Sequence, residues 1–176
     1  VIKTLAEITL DGNECNDSDQ AYEAECALAI LETVGDYDSL SLLYDVEDGA
    51  CFNTNRYECD AAETNAFTIQ EKLATVTAKI LSEEKDNTKV IKYLTVFLEE
   101  EFINPKSDYD EVQEIVEAEY PYFINTLNLK KAILESLKTE DKDIISVISK
   151  VSKAIKESDS RHPEPKDFDY EGYAGY

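Results

Sequence analysis

Methionine and tryptophan are absent from this 176-residue chain, and histidine occurs once. Basic residues number 17 against 39 acidic ones, for a formal net charge of −22. Each shortage argues against a class of function. The single His162 stands in SRHPEP, an extended stretch before two prolines, so a Ser-His-Asp triad has no rigidly held base. The four cysteines form no CxxC pair and lie far in sequence from His162, which argues against zinc. With no tryptophan, the aromatic platforms expected of a sugar cleft are missing, and 39 acids nominate no particular catalytic pair. So few cations argue against sequence-independent binding of nucleic acid and against anionic membrane surfaces. No apolar run approaches the roughly 20 residues needed to span a bilayer. Five glycines form no Walker, Rossmann or G-x-S-x-G pattern. The reading is a non-enzyme with no cofactor and no metal.

What is present is helical periodicity. About 43% of the chain is apolar, enough for a core despite the charge. Leu5 and Ile8 stand at helical spacing in a short first helix that Asp11-Gly12-Asn13 ends. SDQAYEAECALAILETVGD reads as a helix capped by Ser18. Tyr22, Cys26, Ala29, Ile30 and Val34 are its expected core stripe. YDSLSLLYDVEDG is a shorter helix. From Thr64 onward Phe67, Ile69, Leu73, Val76, Ile80 and Leu81 share one face. Val90, Ile91, Leu94, Phe97 and Leu98 give the next helix a broad apolar face, stopped at Asn104-Pro105. A long pattern from Ser107 is kinked at Pro121. The last helix sets Ile144, Val147, Ile148, Val151 and Ile155 against Lys142, Lys150, Lys153 and Lys156, with Thr139 as its expected cap. No strand signal and no repeat appear. The predicted fold is all-α: a disulfide-bonded bundle of six to eight helices forming one domain over residues 1–159, followed by an extended tail over 160–176.

The first third is the most acidic part. Residues 1–64 hold 16 acids against Lys3 and Arg56, a net of −14. They also hold all four cysteines, Cys15, Cys26, Cys51 and Cys59. Two disulfides are expected, which places the protein outside the cell. Cys51–Cys59 with Cys15–Cys26 and the nested Cys15–Cys59 with Cys26–Cys51 fit equally, and spacing chooses neither. A chain that opens at Val1 without any methionine is expected of a secreted protein whose signal peptide has been removed. Asn16-Asp17-Ser18 is an N-glycosylation sequon in a eukaryotic secretory pathway. Asp11, Asn13, Asp17 and Asp19 alternate as in a calcium loop. Cys15, Asn16 and Tyr22 stand where an EF-hand needs an oxygen ligand, glycine and glutamate, so that motif fails.

The tail PKDFDYEGYAGY leaves the helical pattern, since Pro163 and Pro165 disfavour helix. Phe168, Tyr170, Tyr173 and Tyr176 alternate with acids and small residues. Aromatic anchors with acidic steering suit a basic groove with apolar pockets. Asp169-Tyr170-Glu171 is also a setting for tyrosine sulfation. This segment resembles the acidic, aromatic C-terminal tails of hirudin-like thrombin inhibitors from blood-feeding animals. The resemblance implies a secreted, salivary-type inhibitor in which Phe168, Asp169, Tyr170, Glu171 and Tyr173 contact the partner. The expected function is capture or inhibition of an extracellular protein with a basic surface, without membrane insertion and without nucleic acid. The alternative expectation is a carrier of a small hydrophobic ligand or amine. Phe97, Phe102, Tyr120, Tyr122, Phe123 and Leu127 would line its cavity around Pro121.

Overall fold

Among the described residues the longest helix is the twenty-four-residue Asp60–Glu83, about 36 Å at 1.5 Å per residue. The helices over Ser18–Val34 and Leu40–Glu47 pack against it. The structure is a computed structural model that describes residues 1–11, 18–47, 60–99 and 127–161. In chain order the helices are α1 (Ile2–Asp11), α2 (Ser18–Val34), α3 (Leu40–Glu47), α4 (Asp60–Glu83), α5 (Asn87–Val96), α6 (described over 127–136) and α7 (Lys142–Arg161). A single 3-10 turn, Tyr37–Ser39, leads into α3. No strand occurs among the described residues, and the fold is an all-α bundle. The last helix continues to Arg161, two residues past the expected boundary of the domain.

Helix starts follow short polar side chains. Asp36 accepts the Asp38 N–H at 3.1 Å, and the Ser39 hydroxyl accepts the Asp36 N–H, which closes a capping box. Asp86 caps α5 through the Thr88 N–H at 3.0 Å. At α7 the expected cap is corrected. Asp141 Oδ1 accepts both the Asp143 and Ile144 N–H groups, at 2.9 and 3.0 Å, while Thr139 accepts only from the Asp141 N–H. A carboxylate two residues nearer the first turn reaches two free donors that the Thr139 hydroxyl cannot.

Five contacts fasten one end of the bundle. Lys3 at the start of α1 pairs with Asp36 just past α2 at 2.6 Å. The Lys79 ammonium of α4 donates to the Glu32 carbonyl of α2 at 2.6 Å. The Tyr37 hydroxyl donates to the Lys89 carbonyl of α5 at 3.1 Å. The Lys138 N–H beyond α6 donates to the Ser82 hydroxyl at 2.9 Å, and the Asn87 amide donates to Asp141 at 2.8 Å. These contacts fix the directions of the helices. α2 and α4 run toward this end; α1, α3, α5 and α7 start from it. The links at 35–39, 84–86 and 137–141 are short because each joins neighbours here. The helix ends adjoining residues 12–17, 48–59 and 162–176 therefore point away from it.

The core runs along the α2–α4 seam. Ala21, Ala24, Leu28 and Leu31 face Ile69, Leu73, Val76 and Ile80, all nearly free of solvent. Each such aliphatic side chain contributes about 1.5–3 kcal/mol on burial. Gly35, just past the end of α2, lies against α4, and an added Cβ there would sit 2.9 Å from Ile80 Cδ1. Expected stripes on α4, α5 and α7 are buried or half-buried at every described position, with Val90, Leu94, Phe97, Ile144, Val151 and Ile155 innermost.

Candidate functional site

The expected core face of α2 is corrected by the structure. Tyr22 is 68% exposed and Val34 44%; Cys26 and Ala29 are also exposed, and Ile30 is half-buried. The buried face is instead Ala21, Ala24, Ala27, Leu28 and Leu31. Alanines let α2 approach α4 closely, so the larger side chains at 22, 26, 30 and 34 are left on the outside. α1 repeats the pattern. Its helix is as expected, but Ala6 and Leu10 are buried while Ile2, Leu5 and Ile8 stand 59–64% exposed.

The two outward stripes flank one groove of about 360 Å³. Leu5 and Thr9 of α1 and Tyr22, Glu23, Cys26 and Ile30 of α2 line it. The Cys26 thiol is free and exposed. Its hydrogen bond with Tyr22 is the main reason the Tyr22 phenol is held above its ordinary pKa. Cys15, Cys51 and Cys59, the other members of the expected disulfide framework, lie outside the described residues. So do the expected partner-binding residues Phe168, Asp169, Tyr170, Glu171 and Tyr173.

A second cleft, of about 590 Å³, opens between the first turns of α3 and the end of α5. Tyr37, Asp38 and Ser41 form one wall; Tyr93, Val96 and Phe97 form the other. Tyr93 and Phe97 meet edge to face with centroids 5.6 Å apart. The Lys89 ammonium lies 5.0 Å from the Tyr37 ring centre. Burial is the main cause raising the Tyr37 phenol above its ordinary pKa. Buried Lys130 lies 5.4 Å from the Phe97 ring centre, behind the cleft. Of the cavity-lining residues expected from sequence, Phe97 and Leu127 are buried; Phe102, Tyr120, Tyr122 and Phe123 lie outside the described residues. Only folding brings positions 37 and 93 together, so no sequence signal marked them.

The electrostatics are one-sided. α2 carries Asp19, Glu23, Glu25 and Glu32 and no basic residue. Lys3, the only cation of α1, is held by Glu7 at 3.5 Å and Asp36 at 2.6 Å. That pairing raises the Lys3 pKa and lowers the Asp36 pKa, mainly through their mutual hydrogen bond. Lys79, Lys89, Lys131 and Lys153 also lie within 4.0 Å of acids. Among the described residues, no group of three or more Cys, His, Asp or Glu side chains could hold a metal ion. No described helix is long and apolar enough to cross a membrane. No family model, curated protein or solved structure matches this chain.

Proposed function

We propose that this is a secreted, non-enzymatic binding protein that captures or inhibits a basic extracellular protein. The observation that carries the reading is the uncompensated acidic surface. The net charge is −22, and at least five of the described lysines lie within 4.0 Å of acids of the same chain. An excess of this size raises the encounter rate with cationic partners and repels anionic ones. The tail residues Phe168, Asp169, Tyr170, Glu171 and Tyr173 supply anchors of the type that hirudin-like inhibitors use, and the salivary, anti-haemostatic setting belongs to the same proposal. Capture of extracellular partners by the full chain, then by a chain cut after Pro165, tests it. Affinity falls steeply between low and physiological salt, and the cut weakens binding without moving the melting temperature. Salt-independent binding refutes the electrostatic part; unchanged affinity after the cut removes the tail.

The Tyr37–Phe97 cleft favours a second reading, a carrier of a small hydrophobic ligand or amine. Its walls are aromatic, with the Asp38 carboxylate at the edge. Native mass spectrometry separates the readings: a retained small-molecule mass supports the carrier.

A further inference from the structure

A helix on the surface of a bundle needs one apolar face, toward the core. α2 has two. Ala21, Ala24, Leu28 and Leu31 pack inward, and Tyr22, Cys26 and Val34 stand exposed on a second stripe, about one residue per turn, completed by half-buried Ile30, which also touches the core. α1 extends this second face with Ile2, Leu5 and Ile8. Eight large apolar side chains stand exposed among the described residues, and five of them are Ile2, Leu5, Ile8, Tyr22 and Val34. Scattered exposure is ordinary, but concentration on two adjacent helices around a groove marks an interaction surface.

The charges around the face choose its occupant. Between Ile2 and Ile8 the outward side of α1 carries no charge, because Lys3 turns toward Asp36 and Glu7 toward Lys3 and the Ser39 hydroxyl. The groove is edged by Glu23, with exposed Asp11 and Asp19 at one end, and α2 adds no cation. An apolar centre with an acidic rim complements an apolar stripe flanked by lysines or arginines. A second copy would bring acidic rim against acidic rim, and the chain's own tail carries Asp167, Asp169 and Glu171 into the same field. The α2 stripe from Tyr22 to Val34 is about 18 Å long, and a helix of roughly 15 residues covers it. We infer that the groove between α1 and α2 docks a cationic amphipathic helix of another protein, its apolar side seated on Leu5, Tyr22 and Ile30 and reaching the neighbouring exposed Ile8 of α1.

This inference rests on the cationic-partner reading above and narrows it to one surface and one shape. The test uses the full chain and two synthetic peptides of about 15 residues made only of leucine and lysine. One has leucines at helical spacing; the other has the same composition scrambled. Calorimetry gives both affinities for the wild type and for Leu5→Gln, Ile8→Gln and Ile145→Gln, the last an exposed apolar site on α7. The patterned peptide binds at least about tenfold tighter than the scrambled one, and Leu5→Gln and Ile8→Gln each remove most of that advantage. Ile145→Gln leaves it intact. All three positions are on the surface, and circular dichroism melts verify that each variant is folded. Equal binding of the two peptides, or equal effects of all three substitutions, overturns the inference while leaving acidic capture standing. Binding of neither peptide overturns both. A dimer in sedimentation that Leu5→Gln dissolves makes a second copy the occupant. Binding that appears only after a cut at Pro165 makes the tail the occupant. Either result also overturns the inference.

Discussion

Replacing Gly35 with alanine is a sign test of how α2 meets α4. In an open turn, Gly→Ala stabilises by about 0.4–1 kcal/mol, because the unfolded chain loses more freedom than the folded one. Gly35 is not in the open. Its N–H donates to the Leu31 carbonyl at 2.8 Å, and a methyl group built there meets that carbonyl oxygen and lies 2.9 Å from Ile80 Cδ1. The carbonyl is backbone and cannot turn aside; Ile80 is only 4% exposed and is held within the core. Overpacking of this kind costs about 1–3 kcal/mol. At about 2–4 °C per kcal/mol for a chain of this size, the melting temperature falls by roughly 2–12 °C. The second half of the test is Ile80→Val, which deletes the Cδ1 atom and alone costs about 0.5–1.5 kcal/mol. In the double variant one of the two collisions is gone, so the combined loss is smaller than the sum of the single losses. Urea titrations monitored by circular dichroism measure all four corners of this cycle. A Gly35→Ala variant as stable as the wild type, or more stable, refutes the close approach. With it would go the register that turns Tyr22, Cys26 and Ile30 outward.

Two further expectations follow from the fastened end of the bundle. Asp141→Ala leaves the Asp143 and Ile144 N–H groups without their cap and Asn87 without its partner; it destabilises by about 1 kcal/mol, and Asp141→Asn recovers most of the loss in urea titrations. Asp36 is depressed below its ordinary pKa by Lys3, so its contribution is present above the unfolded carboxylate value and is lost as pH falls through the lower folded value. The stability gap between the wild type and Asp36→Asn is therefore constant at neutral pH and closes in acid. Lys3, raised by the same pair, gives the opposite limb: its contribution is complete below the unfolded lysine value and fades as pH rises through the higher folded value. Urea midpoints across both limits check this, and a gap that persists unchanged into strong acid contradicts the pairing.

The sequence revealed some helices fully and others only in outline, and the difference lies in how charge is spread. On α7 the lysines at 142, 150, 153 and 156 mark the solvent side, so Ile144, Val151 and Ile155 had one place to go, and they are buried. α4 and α5 were legible for a similar reason: their large aliphatic residues form a single arc. On α1 and α2 the existence of the helix was clear and its orientation was not. Large side chains dominate any reading by hydrophobicity, so Tyr22, Ile30 and Val34 outweighed Ala21, Ala24 and Ala27. Packing inverted that ranking, because two helices approach most closely where their side chains are smallest. The same blindness hid the cleft between Tyr37 and Tyr93, since nothing local distinguishes either tyrosine.

The misplaced stripe is more informative than the stripes read correctly. A residue set regular enough to be taken for a core face is costly to leave in water unless something covers it, and about 0.8 kcal/mol is at stake for each methylene that remains wet. On α7 the apolar set is used once, inward. On α2 two apolar sets share one helix; Glu25 and Glu32 fall between them, and Asp19 and Glu23 lie on the outer side. Such a helix is over-supplied for a bundle and well suited to lie between its own core on one side and another apolar surface on the other. The proposed partner would thus engage α2 itself, independently of the tail. The tail and the groove can then be tested separately: a cut at Pro165 and a change at Leu5 act on different surfaces, and their effects on a partner that uses both should add.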